Sequence, residues 1–355
     1  MPLADRLPIR GTQPRILIVR LSALGDVVFA TALLASLRQR WSQAYIAWLL
    51  QESVAGLLES EVAPGGRLDE RIAVPAKIYQ SPSALRELRR KLRVRKFDWV
   101  LDVQGLLKSR VLAGLSPGAT RVGFESSEPG GFLLDHRLPK GGDARDISSE
   151  YRHFAIELTG LDPGPPRLPV HATNAETVAA AMRGYGLQPG FIALCPFTTR
   201  PQKHWFEEHW ASTARLLSPA HQRRCVIFGG PGDRTAAARM MREMPAGSLD
   251  LSGQTRLADL PGWLSQAGVV IGVDTGLTHI GIAVQRPVVA LFGSTRPYTQ
   301  GADSPLTVLY EDLSCAPCKR RPTCDGRWTC MRQLSPARVA AAAAQWLGGG
   351  ELDPT

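Results

Sequence analysis

Four polar stretches of this chain follow apolar runs and carry groups that bind anions or move protons. The first is Arg20-Leu21-Ser22-Ala23-Leu24-Gly25-Asp26-Val27-Val28. Gly25 permits a tight turn. Asp26 then falls at a helix start, where it can act as an N-cap or as a general base. Spacing alone favours the cap. The turn is not G-x-G-x-x-G, so no dinucleotide fingerprint is present. The second is Asp102-Val103-Gln104-Gly105-Leu106-Leu107-Lys108-Ser109. Its polar groups either meet a ligand or open a surface helix.

The third stretch runs from Thr198-Thr199-Arg200 through Lys203-His204-Trp205. Hydroxyls and an ammonium suit a phosphate, and a following helix would point its positive end inward. The competing reading is an exposed loop with Trp205 and Trp210 packed below it. His204 and His209 are spaced poorly for a metal pair. The fourth is Gly272-Val273-Asp274-Thr275-Gly276-Leu277-Thr278-His279. Amides at a helix starting near Gly276 can cradle a pyrophosphate, with His279 one turn in; the alternative is a capped helix with a surface His. Asp-Thr-Gly also occurs in aspartic proteases, but a second carboxylate in a β-rich setting is missing.

Two further features bear on partners. Cys315, Cys318, Cys324 and Cys330 have C-x2-C-x5-C-x5-C spacing, which is either a structural Zn or Fe site or a reduced loop. Arg86, Arg89, Arg90, Lys91, Arg93, Arg95 and Lys96 form a basic run opposed only by Glu87. Such a run is a solvated helix face or a dock for an anionic lipid surface or phosphorylated acceptor. It has little aromatic interleaving, which argues against nucleic acid.

These groups need elements to hold them. Apolar runs at Arg15–Arg20, Tyr45–Leu50, Arg71–Val74 and Trp99–Val103 read as strands. A helical run from Asp26 to about Arg40 follows the first, and Leu85, Leu88 and Leu92 mark one face of another helix. The stretch LDPGPPRLPV has too many prolines for a helix or central strand and reads as a linker. Strands restart at Phe191–Cys195, Arg224–Phe228, Val269–Val273 and Val288–Phe292. Helices at Glu207–Leu217 and Arg234–Met244 fit between them, and an Ala-rich helix spans Pro336–Leu347. The alternation predicts an α/β class with two Rossmann-like domains and parallel sheets facing a cleft. The 355 residues suit about two domains. Lys plus Arg is 42 against 32 for Asp plus Glu, a net charge of +10, which favours anionic partners. No apolar run reaches the length of a membrane span. The opening MPLADRLPIRGTQP lacks a secretory core, so a cytoplasmic location is expected.

The stretches RILIVRLSALGDVVFATALLASLR, VLDVQGLLKSRVLAGL, FTTRPQKHWFEEHW and VIGVDTGLTHIGIAVQRPVVALFGSTRP, spread over most of the chain, together resemble the family 9 glycosyltransferases, the bacterial heptosyltransferases of lipopolysaccharide assembly. The resemblance implies a GT-B fold. Residues 1–165 would bind the acceptor and 166–335 the nucleotide sugar, while 336–355 would pack back on the first domain. It implies inverting, metal-independent transfer from ADP-heptose to Kdo on lipid A or to the first heptose, at the cytoplasmic face of the inner membrane. Asp26 would be the general base. Thr198, Thr199 and Lys203 would hold the pyrophosphate, with Lys203 stabilising the departing ADP. Thr275, Gly276, His279 and Asp274 would complete the donor site, and Asp233 would contact the nucleoside. Gly25, Gln104 and Lys108 fall on the acceptor side. Competing readings are a relative using another nucleotide sugar or a protein acceptor, and a non-catalytic anion-binding module.

Overall fold

The computed structural model describes residues 1–58, 61–63, 66–298, 305–318 and 321–348. The end of the expected C-terminal segment, 349–355, lies outside them. The chain divides into two units, Met1–Pro169 and Val170–Thr355. The division falls inside the proline-rich stretch, slightly beyond the expected boundary at 165.

The first unit contains β1 (Arg15–Val19), β2 (Tyr45–Gln51), β3 (Glu61–Ala63), β4 (Gly66–Arg67), β5 (Glu70–Val74), β6 (Trp99–Asp102), β7 (Thr120–Phe124) and β8 (His136–Leu138). Six of these form one sheet in the order β5-β2-β1-β6-β7-β8, every pairing parallel. β3 and β4 pair separately and antiparallel. Its helices are α1 (Leu24–Ala30), α2 (Ala32–Arg40), α3 (Glu52–Ala55), α4 (Pro82–Arg95), α5 (Leu107–Ala113) and α6 (Ser149–Thr159). The chain builds outward from β1 to β2 and β5. It then crosses through α4 to lay β6, β7 and β8 on the other side of β1. The strand order therefore reverses between β1 and β6, and ligands of such sheets bind at that point, beyond the strands' carboxyl ends. Leu17 and Val19 share a core with Leu88 and Leu92 of α4 and Leu112 and Ala113 of α5. Ile16 and Ile18 alternate to the opposite face. Both faces are covered, so the strands read as continuous apolar runs.

The second unit repeats the plan. It contains α7 (Ala172–Gly184), β9 (Ile192–Cys195), α8 (Glu207–His221), β10 (Cys225–Ile227), α9 (Arg234–Met241), β11 (Leu249–Asp250), α10 (Leu260–Ser265), β12 (Val269–Val273), α11 (Gly276–Ala283), β13 (Val288–Phe292), β14 (Leu306–Tyr310), α12 (Thr329–Arg332) and α13 (Pro336–Leu347). Its sheet has the order β11-β10-β9-β12-β13-β14, again parallel throughout. Here the order reverses between β9 and β12.

Two expectations change. The run from Asp26 to Arg40 forms two helices meeting at Thr31, whose buried hydroxyl donates to the Val28 carbonyl at 2.6 Å. Strands β3, β4, β7, β8, β11 and β14 were not expected. α13 is capped by Ser335, which accepts from the Arg338 amide at 3.3 Å. Its Val339, Ala340 and Ala343 join the core formed by α8, β12 and β13. These described contacts of α13 lie within the second unit. Among the described residues, no helix is long and apolar enough to cross a membrane.

Candidate active site

All four polar stretches leave the carboxyl ends of strands that flank the two reversals. In the first unit these are β1 and β6, paired with Val19 beside Asp102. In the second they are β9 and β12, paired with Cys195 beside Gly272.

After β1, Ala23 takes the extended cap conformation of α1, so Asp26 is not the N-cap. It stands one turn in, where its Oδ2 accepts from the Ala23 amide at 3.3 Å. Gly25 lies in the same first turn. The Arg20 guanidinium reaches the same oxygen at 2.5 Å, from a side chain 9% exposed against 45% for Asp26. Arg20 is itself fixed by a hydrogen bond to the Val103 carbonyl. Both Asp26 contacts use Oδ2, leaving Oδ1 without a hydrogen bond among the described residues. The site reading from sequence did not include Arg20, although its place as the last residue before the turn was visible.

After β6, the Asp102 carboxylate accepts from the Gln104 and Gly105 amides at 3.1 and 3.2 Å. Burial pushes this carboxyl above its ordinary range, against hydrogen bonds from Ser109, Gly105 and Gln104 that pull it down. Gly105 has φ +70° and faces the Phe124 Cβ, a conformation that disfavours a side chain. Gln104 is 7% exposed and its Oε1 accepts from the Leu21 amide at 2.8 Å. It therefore ties the loops after β1 and β6 together. Lys108 is exposed at the start of α5, and its carbonyl accepts from Tyr79 Oη at 3.0 Å.

After β9, His204 Nε2 donates to the Thr198 carbonyl at 2.8 Å. That bond closes the loop carrying Thr198, Thr199 and Lys203. Trp205 Nε1 anchors its far end on the Leu334 carbonyl at 3.0 Å. The Lys203 ammonium pairs with Asp274. Asp274 also accepts from Thr295 Oγ1 at 2.6 Å and lies 3.4 Å from His279 Nε2. Behind it, His279 Nδ1 meets the Tyr298 hydroxyl at 2.9 Å. Burial alone would raise the Asp274 carboxyl, but the hydrogen bonds and charges of His279 and Lys203 outweigh it and hold it well below the carboxylate range. Burial and the nearby Asp274 charge push Tyr298 far up, so its hydroxyl keeps its proton.

Thr275, extended at φ −144°, caps α11, and Gly276 is its first residue. Thr278 Oγ1 donates to the Val273 carbonyl at 2.6 Å, drawing the helix onto β12. A Cβ at Gly272 would come within 2.2 Å of that hydroxyl, so the close approach requires glycine. Lys203 thus pairs with Asp274 just ahead of the α11 N-terminus, while the loop closed by His204 carries the Thr198 and Thr199 hydroxyls; an ammonium, hydroxyls and helix amides are groups suited to a diphosphate. Asp233 Oδ2 accepts from the Gly230 amide at 2.8 Å and shapes its own turn. Thr295 and Tyr298 were not anticipated; they lie far along the chain with no periodic signal tying them to Asp274.

The four C-terminal cysteines are free thiols lining a small pocket with Gln202 and Ser294. Among the described residues, no three His, Cys, Asp or Glu side chains form a group able to hold a metal ion. The expectation of a structural Zn or Fe site at Cys315, Cys318, Cys324 and Cys330 is therefore not supported.

Residues 85–329 match the family model described as glycosyltransferase family 9 (heptosyltransferase). The chain belongs to glycosyltransferase family 9. Among curated relatives of this glycosyltransferase is lipopolysaccharide heptosyltransferase 1 of Escherichia coli K12, 28% identical over 80% of this chain and 89% of that one. Among solved structures, a family 9 glycosyl transferase from Veillonella parvula has a TM-score of 0.82 at 22% identity, covering 96% of this chain and 99% of its own. The E. coli heptosyltransferase WaaC with ADP-2-deoxy-2-fluoro heptose has a TM-score of 0.70 at 22% identity, over 93% and 99%. These likenesses carry the GT-B fold class.

Proposed function

We propose that this family 9 enzyme transfers L-glycero-D-manno-heptose from ADP-heptose to the Kdo or heptose of the lipopolysaccharide inner core on lipid A. The observation that supports this most strongly is the placing of complementary chemistry at two sheet reversals in a family 9 chain. One reversal offers a carboxylate with an open oxygen, and the other an ammonium and helix amides suited to a diphosphate.

In the reaction, the acceptor hydroxyl oxygen bonds to the anomeric carbon as its proton passes to Asp26 Oδ1. Concerted transfer lets a carboxylate serve as the base. The bond from that carbon to the ADP oxygen breaks on the opposite face, and configuration inverts. Negative charge then grows on the β-phosphate. Lys203, the Thr198 and Thr199 hydroxyls and the amides at Thr275 and Gly276 stabilise it. Because the leaving group meets fixed cationic and dipolar partners of the protein, the step uses no cofactor or metal. Asp274 and His279 hold Lys203 in place and face the donor's polar groups, and Asp233 meets the nucleoside. Lys108 meets anionic groups of the acceptor, while Gln104 and Gly25 shape its loop. With a lipid-linked acceptor, the enzyme works as a peripheral protein at the cytoplasmic face of the inner membrane.

The test is ADP release from ADP-heptose with and without Kdo–lipid A. Acceptor-dependent release supports the reading. Absence of release with ADP-heptose, alongside release from another nucleotide sugar, contradicts it.

A further inference from the structure

We propose that the outer face of the α4–α5 layer docks an anionic lipid bilayer, an inference that rests on the lipid-linked acceptor proposed above. Both helices cover the same face of the first sheet, through Leu88 and Leu92 of α4 and Leu112 and Ala113 of α5. Their other sides are exposed. On α4, Arg86, Arg89, Arg90 and Arg93 recur at three- and four-residue intervals and form one stripe, all exposed and turned away from the buried leucines. The single acidic residue of the helix, Glu87, pairs with Lys91 at 2.8 Å. Arg89 and Arg93 have no carboxylate partner among the described residues.

Apolar side chains accompany this charge. Val94 of α4 is 74% exposed and Phe132 is 86% exposed, with Leu107 and Val111 of α5 also open. Phe132 belongs to a short turn, Gly131–Leu133, that abuts α5: a Cβ at Gly130 would come within 2.9 Å of Leu107 Cδ1. The Tyr79 bond to the Lys108 carbonyl ties the entry to α4 onto α5. The starts of α4 and α5 therefore lie at the carboxyl end of β6, beside the reversal that carries Asp26, and α4 runs from there to the start of β1, where the Arg95 carbonyl accepts from Arg15 Nε at 2.7 Å. Cations for lipid phosphates and an aromatic for the interface are what an anionic bilayer surface recognises. An uncharged or purely polar partner would leave the arginines unmatched.

The experiment is cosedimentation of the full chain with vesicles of phosphatidylglycerol and phosphatidylethanolamine, against vesicles of phosphatidylcholine alone. The wild type binds the anionic vesicles, and high salt weakens that binding. Each basic side chain at such a surface contributes about fivefold in affinity. A combined R86E, R89E, R90E and R93E variant therefore binds on the order of a hundredfold or more weaker, and Phe132→Ser weakens binding without altering its salt dependence. Turnover of an acceptor freed of its acyl chains is unchanged in both variants, which shows that they fold. Equal binding to neutral vesicles, or undiminished binding by the charge variant, overturns the inference. Turnover without vesicle binding overturns it while leaving the heptosyl transfer intact, and vesicle binding is read whether or not turnover is found.

Discussion

At the β9/β12 reversal, Asp274 is gripped by Lys203, Thr295 and His279, with Tyr298 behind the imidazole. At the β1/β6 reversal, Asp26 meets one guanidinium and one amide and is 45% exposed. Identical topology thus carries two opposite electrostatic designs. A departing diphosphate is best stabilised by charge already in place, because nothing then reorganises as the bond breaks. A base must keep an oxygen open to a hydroxyl that arrives from outside. The supporting groups follow the same division. The second loop is closed by His204 and Trp205, and the first is braced from below by Gln104 and Asp102.

Substitutions sharpen this contrast. The largest effect is expected for Asp26→Asn, which lowers turnover roughly 10²–10⁴-fold in the ADP-release assay. Lys203→Met removes a leaving-group contact and lowers kcat roughly 10²–10³-fold, measured with saturating acceptor. If it instead leaves kcat intact and raises only the donor KM, Lys203 binds ground state and transition state equally. Asp274→Asn acts on stability. The carboxyl of Asp274 is depressed in the folded chain, so its stabilisation is present above the unfolded value near ~3.9 and fades as pH falls through and below it. The variant is expected to lose about 1.5–3 kcal/mol at pH 7, with the deficit shrinking in urea titrations at acid pH. A deficit that persists at acid pH points to packing as its source. Tyr298→Phe gives the smallest change, about 1 kcal/mol, read as a shifted urea midpoint.

Much of this site was legible because parallel strands covered on both faces are uninterrupted apolar runs, so the polar residues that follow them stand out. Asp26, Lys203, Thr275 and Gly276 were singled out as candidates that way. Tyr298 and Thr295 were not, since their link to Asp274 and His279 is tertiary and leaves no local pattern. β8 and β11, only three and two residues long, lack the alternation that marks a strand. The Ala-rich α13 declares its helicity by propensity but not its packing partner, because small side chains fit many surfaces. Gln104 stood out by its position after β6, but its bond to the Leu21 backbone is tertiary and leaves no mark in the sequence.

The most direct test of this division of labour is calorimetric titration of ADP into the wild type, Asp26→Asn and Lys203→Met. The account predicts equal affinity for the wild type and Asp26→Asn, and at least tenfold weaker binding for Lys203→Met. Equal losses in the two variants, or undiminished binding by Lys203→Met, would contradict it.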